Sequence, residues 1–116
     1  MENPEIIPKF ELPLPPELTV EEILGQRTRT NLHLRSPNCY FIYKQAYIKQ
    51  LKKLVNINNI SVDKIATCVN KSWRAESATV KEEYKKLSVN ARDRLYQLRL
   101  RQLYKLWLRK LASYKI

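Results

Sequence analysis

Residues 35–43 bring together side chains that can bind another molecule but cannot catalyse a reaction. Asn38 carries a carboxamide that both donates and accepts hydrogen bonds, and Phe41 carries a large apolar ring that can stack. Arg35 supplies a guanidinium, a group suited to phosphate. The whole chain has one histidine, His33, and two cysteines, which cannot close a zinc site without carboxylate help. The sequence therefore predicts a binding surface, with no catalytic residue, no metal site and no cofactor.

The charge of the chain indicates the chemistry of its partner. The 116 residues include 22 Lys plus Arg and 11 Asp plus Glu, for a formal net charge of +11. A field this positive predicts a polyanionic partner, nucleic acid first and an acidic membrane surface second. The single glycine, Gly25, excludes a Gly-rich phosphate loop. No apolar run approaches the roughly 20 residues needed to cross a bilayer, so we expect no membrane-spanning segment.

Residues 1–29 form an acidic arm that is rich in proline. Thr19 and Glu22 have the spacing of a helix capping box, and Gly25 supplies a helix stop. Two interpretations of the arm stay open. It is either a solvated tail or an intramolecular acidic segment that screens the basic surface of residues 25–116.

Apolar periodicity beyond the arm predicts three helices and no strand. The first covers residues 38–55, and the second begins after Ser61 and closes over residues 70–76. The third begins after Ser77 and meets neither Gly nor Pro before about Tyr114. A residue with a short polar side chain, which favours the N-cap, stands before each of the three.

The third helix carries two apolar stripes on different sides. The first consists of Tyr84, Leu87, Ala91, Leu95 and Leu98. The second consists of Tyr96, Leu100, Leu103, Tyr104, Trp107, Leu111 and Tyr114. The leading interpretation packs the second stripe against apolar residues of the arm, namely Leu12, Leu14, Ile23 and Leu24. The alternative is a surface for a protein partner or for self-association.

The order of residues in this region resembles that of an HMG box. Residues 35–43 are similar to the opening of the box, Arg-Pro-x-Asn-Ala-Phe-apolar-apolar-(Tyr/Trp). Residues 71–74, followed by residues 80–87 and Ala91, resemble its tryptophan and third-helix signature. The resemblance covers residues 30–100. Within the family, the fungal mating-type (MATA-HMG) and SOX-type sequence-specific boxes look most similar.

This resemblance implies an all-α, L-shaped fold of three helices, with an extended N-terminal strand along a long third helix. The DNA-binding domain would span residues 30–100, between the arm at 1–29 and a basic amphipathic continuation of the helix at 101–116. The family binds the minor groove of double-stranded DNA and bends it, by roughly 20–90° for proteins that insert a wedge. The resemblance therefore implies a nuclear transcription regulator that is not an enzyme.

The resemblance also implies roles for individual residues. Phe41 occupies the wedge position, and Asn38 matches the asparagine that reads base edges, although it also fits an N-cap. Tyr40 and Tyr43 match aromatic positions beneath the wedge, where packing in the core is the other interpretation. The implied DNA-binding residues are Arg35, Asn38, Tyr40, Phe41, Tyr43, Lys44, Ser61, Lys64 and Arg74.

Two alternatives to a sequence-specific regulator remain. Val62 and Ala66 stand near positions where sequence-specific boxes carry Asn and Ser, which favours an architectural protein that bends DNA without sequence preference. The other alternative is a protein-interaction module that uses the second stripe. Its contacts would be Tyr96, Leu100, Leu103, Trp107 and Leu111.

Overall fold

The structure is a computed structural model that describes residues 7–25 and 35–114. All regular structure in these two segments is helical, as the sequence predicts. The elements are α1 (Val20–Leu24), α2 (Cys39–Leu54), a single 3-10 turn (Ile57–Asn59), α3 (Val62–Ala75) and α4 (Ala78–Ser113). The extended strand expected before the box falls mostly on residues 26–34, and His33 with it, outside the described residues.

The three long helices begin at the residues that the sequence indicates. The side chains of Asn38, Ser61 and Ser77 each accept a hydrogen bond from the backbone N–H three residues later. Each bond satisfies one of the donors that a helix start leaves without an intrahelical partner. Such a cap stabilises a helix by about 0.5–2 kcal/mol, so local chemistry is sufficient to set these three starts.

An aromatic cluster holds α2, α3 and α4 together. The ring of Tyr43 lies 5.0 Å from that of Trp73 and 5.2 Å from that of Tyr84, measured between centroids. Trp73 and Tyr84 meet edge to face at 6.3 Å. Tyr84 is therefore part of the core, and Trp73 packs against it. Aliphatic side chains from the same helices complete the core, including Ile42, Leu51, Ile65, Val69 and Leu95.

The arm is part of this core over residues 7–25, so its interpretation as a solvated tail is wrong for that segment. Ile23 and Leu24 on α1 are fully buried, and α1 packs against α4. Phe10 stacks on Tyr47 of α2 with 4.7 Å between ring centroids. The predicted capping box of Thr19 and α1 is present. The apolar residues of the arm dock because the box offers them an apolar surface that would otherwise face water.

The second stripe of α4 is not covered by the arm, which corrects the leading interpretation of that stripe. From Leu100 to Tyr114 every side chain is exposed. At 3.6 residues per turn, the centre of the second stripe lies roughly 165° around the helix from the centre of the first. Ile23 and Leu24 join the same buried cluster as the first stripe, on the side of α4 that faces the other helices. The C-terminal part of α4 therefore projects from the folded body without packing against it. The molecule measures 75 × 31 × 19 Å.

Candidate nucleic-acid interface

The first turn of α2 presents the central residues of the site. The side-chain oxygen of Asn38 accepts a hydrogen bond from the backbone N–H of Phe41 at 3.0 Å. The hydroxyl of Ser88, on α4, donates to the backbone oxygen of Pro37 at 3.3 Å. The chain entering α2 is thus fixed by its own cap and by α4. This arrangement holds Asn38 and Phe41 at a defined place on the surface.

Phe41 is an exposed aromatic residue on an otherwise well-packed helix. Its side chain is 53% exposed, whereas its neighbours Ile42 and Tyr43 are fully buried. It lines a shallow depression together with Arg35, Ser36, Pro37 and Asn38. A large ring, a carboxamide and a guanidinium therefore share one concave patch. Such a patch can stack on a base, hydrogen-bond to a base edge and pair with phosphate.

Tyr43, two residues after Phe41, packs in the core against Trp73 and Tyr84 and does not reach the surface. Its hydroxyl donates to a carboxylate oxygen of Glu76 at 2.8 Å and accepts a hydrogen bond from the Ser72 hydroxyl. Burial, more than any other cause, raises the pKa of Tyr43 above its ordinary value. Because the residue is fully buried, the core role fits the structure, and the direct DNA contact also predicted for Tyr43 does not.

Tyr40 joins the exposed wedge to the core. Its ring lies 6.2 Å from the ring of Phe41 and 6.2 Å from that of Trp73, edge to face in both cases. Its hydroxyl donates a hydrogen bond to the side-chain oxygen of Asn70 on α3. Tyr40 therefore braces Phe41 against α3, and its half-buried ring still leaves an edge near the surface.

The remaining predicted site residues are spread along α2 and α3. Ser61 and Lys64 lie at the start of α3, where the Ser61 hydroxyl accepts from the backbone N–H of Lys64 at 3.2 Å. Arg74 lies in the last turn of α3, about 20 Å away along the helix axis. Lys44 follows Phe41 on α2 and is partly buried. The structure thus groups Arg35, Asn38 and Phe41 in one patch but does not bring Ser61 and Arg74 together.

Oxygen atoms of the arm bind two lysines on α2 that would otherwise be available to phosphate. The ammonium of Lys49 lies 2.9 Å from the Glu22 carboxylate and 2.8 Å from the backbone oxygen of Glu17. Lys53 reaches the Glu17 carboxylate at 4.0 Å. Both lysines belong to residues 25–116, the basic part of the chain for which the sequence predicts a polyanionic partner. The signal that could have paired them was the match between two acidic residues five apart in the arm and two lysines four apart on α2.

No group of three or more His, Cys, Asp or Glu side chains that could hold a metal ion occurs among the described residues. Within the same residues, no helix is both long enough and apolar enough to cross a membrane.

Comparison with known proteins gives one match. A sequence model of the HMG (high mobility group) box matches residues 34–104, which is more than half of the chain. The match includes the patch around Phe41, the aromatic cluster and the first three quarters of α4. None of the curated proteins and none of the solved structures compared with the chain matches it.

Proposed function

The chain belongs to the HMG-box family, and from this premise we propose that it is a sequence-specific transcription regulator of the mating-type class. It binds the minor groove of double-stranded DNA, inserts a wedge and bends the duplex. Membership of the family suggests DNA binding and bending. The minor groove, the sequence preference, the subclass and the nuclear location are the further content of the proposal.

The exposure of Phe41 is the observation that carries the proposal. A side chain that replaces a base–base stacking contact must be large, apolar and accessible, because it has to cover two base faces. Phe41 meets all three conditions, and its position is fixed by Tyr40 and the cap of α2. Unstacking a base step costs a few kcal/mol. Because the fold already holds the Phe41 side chain in place, insertion adds only a small entropy cost to this.

The hydrogen bonding of Asn38 supports recognition of A·T pairs. Its oxygen already accepts from the backbone N–H of Phe41, and its amide nitrogen is the donor that the side chain can offer to a base edge. In the minor groove, A·T and T·A pairs present only acceptors, whereas G·C adds a donor. An amide that donates to the groove therefore fits A·T pairs and meets the exposed amino group of guanine, another donor, unfavourably.

The basic charge supplies affinity without sequence preference. Residues 25–116 hold 21 basic and five acidic residues. Six to ten phosphate contacts would give a salt slope of roughly −5 to −9. We assign the DNA-binding unit to residues 30–100. The residues of this unit that contact the DNA backbone are Arg35, Lys44, Ser61, Lys64 and Arg74. Residues 101–116 lie beyond this unit.

One observation favours a second candidate, an architectural protein that bends DNA without sequence preference. Val62, the first residue of α3, is 77% exposed. An apolar side chain there can make a second insertion, and it cannot hydrogen-bond to a base edge. The two candidates share the wedge at Phe41 and differ in whether the DNA sequence changes the affinity.

The deciding experiment measures affinity and bend together. An A·T-rich duplex with an AACAAT-like site and a scrambled duplex are titrated at two salt concentrations, with donor and acceptor dyes at the duplex ends. We expect a bend and tighter binding on the first duplex, and loss of the bend in Phe41→Ala. Leu54→Ala is the matched control, because Leu54 lies on the same helix and is 54% exposed.

Each result has a distinct meaning. Equal affinity for both duplexes, with a bend that depends on Phe41, supports the architectural protein. If Phe41→Ala and Leu54→Ala reduce the bend equally, the proposal that Phe41 is the wedge is wrong. Absence of binding to either duplex at low salt overturns the DNA proposal.

A further inference from the structure

The exposed stripe on α4 lies outside everything the DNA-binding proposal uses. Residues 100–114 extend over about 22 Å of helix without a buried side chain. Trp107 is 55% exposed, and Leu103, Tyr104 and Tyr114 are more exposed still. Isolated helices of about 12–15 residues are marginal in water, and a contiguous apolar patch on a soluble protein marks an interaction site. This segment therefore gains stability if another surface covers it.

The side chains of the stripe are of the kinds that dominate protein interfaces. It combines leucines with Tyr96, Tyr104, Trp107 and Tyr114, and the rings of Tyr104 and Trp107 lie 5.9 Å apart. Tryptophan, tyrosine and arginine are the residues most enriched among those that carry binding energy. The stripe is straight, with apolar residues three or four apart from residue 96 to residue 114. That spacing suits a partner that is itself a helix.

The charge around the stripe defines the chemistry of the partner. Residues 96–114 contain five basic residues and no acidic residue. At 100° per residue, Lys110 and Arg101 border the apolar stripe on opposite sides. We propose that this stripe is a docking site for an amphipathic helix of another protein, one whose apolar face is bordered by Asp or Glu.

A second copy of the chain fits the stripe less well. Pairing two α4 helices would place Arg101 and Lys110 of one copy against the same basic borders of the other, in molecules that each carry a net charge of +11. Like charges at the borders of a helix pair act against association. An acidic partner converts the same borders into favourable pairs and speeds the encounter.

The basic face of this segment stays exposed when another protein covers the stripe. Lys105 and Arg109 lie roughly on the opposite side of the helix from Trp107. With a protein on the apolar side, they stay available to a polyanion. Docking therefore does not compete with DNA, and the proposal holds whether or not the box binds DNA.

The test uses the full chain without DNA and a designed helical probe. The probe is a dye-labelled peptide of about 20 residues, with leucines at helical spacing and glutamates beside them. The control peptide carries lysine in place of each glutamate. Fluorescence anisotropy should show the acidic peptide binding at least about tenfold tighter than the basic one. Trp107→Ala should weaken the acidic peptide by about 30-fold, the effect of a typical hot-spot residue, and Leu54→Ala should leave its affinity unchanged.

Charge reversal makes the test specific. The double variant Arg101→Glu with Lys110→Glu should prefer the basic peptide, and circular dichroism checks that α4 is retained. Equal affinity for both peptides, or an affinity that Trp107→Ala does not change, overturns the proposal. So does a dimer in sedimentation that Trp107→Ala disrupts, which assigns the stripe to a second copy. Binding to phosphatidylserine vesicles without binding to the peptide assigns it to lipid and also overturns the proposal.

Discussion

Lys49 on α2 and Glu22 on α1 form an ion pair with 2.9 Å between the ammonium nitrogen and the carboxylate oxygen. The same ammonium donates to the backbone oxygen of Glu17. The acidic arm is therefore attached to the box by charge at one border and by the buried Ile23 and Leu24 at another. The arm both completes the core and neutralises part of the basic surface.

The contribution of this ion pair to stability should depend on pH. The hydrogen bond from Lys49 lowers the pKa of Glu22 below its ordinary value of 4.5. A lowered pKa stabilises the fold above pH 4.5, and the contribution disappears as the pH falls through the lower value. At pH 7, Glu22→Gln should reduce the free energy of unfolding by less than about 1 kcal/mol, because the pair is exposed. Urea unfolding at pH 7 and in acid measures this difference.

Glutamine keeps the capping box with Thr19, so the variant removes the charge and retains the cap. Glu21→Gln, on the same turn of α1, is the control for the general effect of one lost charge. A difference between Glu22→Gln and the wild type that persists at low pH would contradict the assignment to the ion pair.

The apolar contact of the arm should matter far more than its charge. Ile23→Ala should lower the free energy of unfolding by about 2–5 kcal/mol, the range for truncating a buried isoleucine. Leu14→Ala, at an exposed position of the same arm, should cost little. Thermal denaturation followed by circular dichroism compares the two. Similar midpoints for both variants would mean that the arm does not belong to the cooperative unit.

The helices could be predicted from the sequence because their signals are local. Asn38, Ser61 and Ser77 each cap a helix within three residues of their own position. The docking of the arm could not be predicted in the same way. α4 has two apolar stripes, and the arm could have covered either. The outcome depends on α2, which supplies Tyr47 and Lys49 as the other side of the arm's contact.

The same distinction between local signals and tertiary packing applies to the candidate site. Asn38 and Phe41 lie within one turn, so their shared patch follows from the sequence order once α2 begins at Asn38. The role of Tyr43 depends on Glu76, which lies 33 residues away. A pattern of residues marks Tyr43 as aromatic and important, but only tertiary packing determines that it faces inward.

Two buried tyrosines should respond in opposite ways to loss of the hydroxyl. Tyr43→Phe removes hydrogen bonds to Glu76 and Ser72 and should cost about 0.5–1.5 kcal/mol or more. The hydroxyl of Tyr84 is buried without a hydrogen-bond partner among the described residues. Tyr84→Phe should therefore leave the stability unchanged or increase it, because it removes an unsatisfied polar group. Chemical denaturation of both variants measures the contrast, and an equal loss of stability in the two would refute it.

Alkaline pH should destabilise the fold through ionisation of the buried Tyr84 hydroxyl. Burial raises the pKa of Tyr84 from 10.0 to about 12. A raised pKa favours the protonated form in the folded state, so this stabilisation is complete below pH 10 and is lost as the pH rises towards 12. The free energy of unfolding should fall over that interval, and less steeply in Tyr84→Phe. Tyr96→Phe, at an exposed position, is the control for loss of one phenol hydroxyl.

The two roles of Asn38 can be separated with one substitution. Aspartate is as good an N-cap as asparagine, so Asn38→Asp should keep the bond from the backbone of Phe41 and the stability of α2. It replaces the donating amide with a charged acceptor, which cannot bond to the acceptors of A·T pairs and repels phosphate. Affinity for the A·T-rich duplex should fall by at least about fivefold, which corresponds to about 1 kcal/mol, the smallest effect expected for a lost base contact. Ser77→Asp is the matched control, because it makes the same change in net charge at the N-cap of α4. If both variants weaken DNA binding equally, the effect of Asn38→Asp is one of charge alone, and the contact between Asn38 and the bases is ruled out.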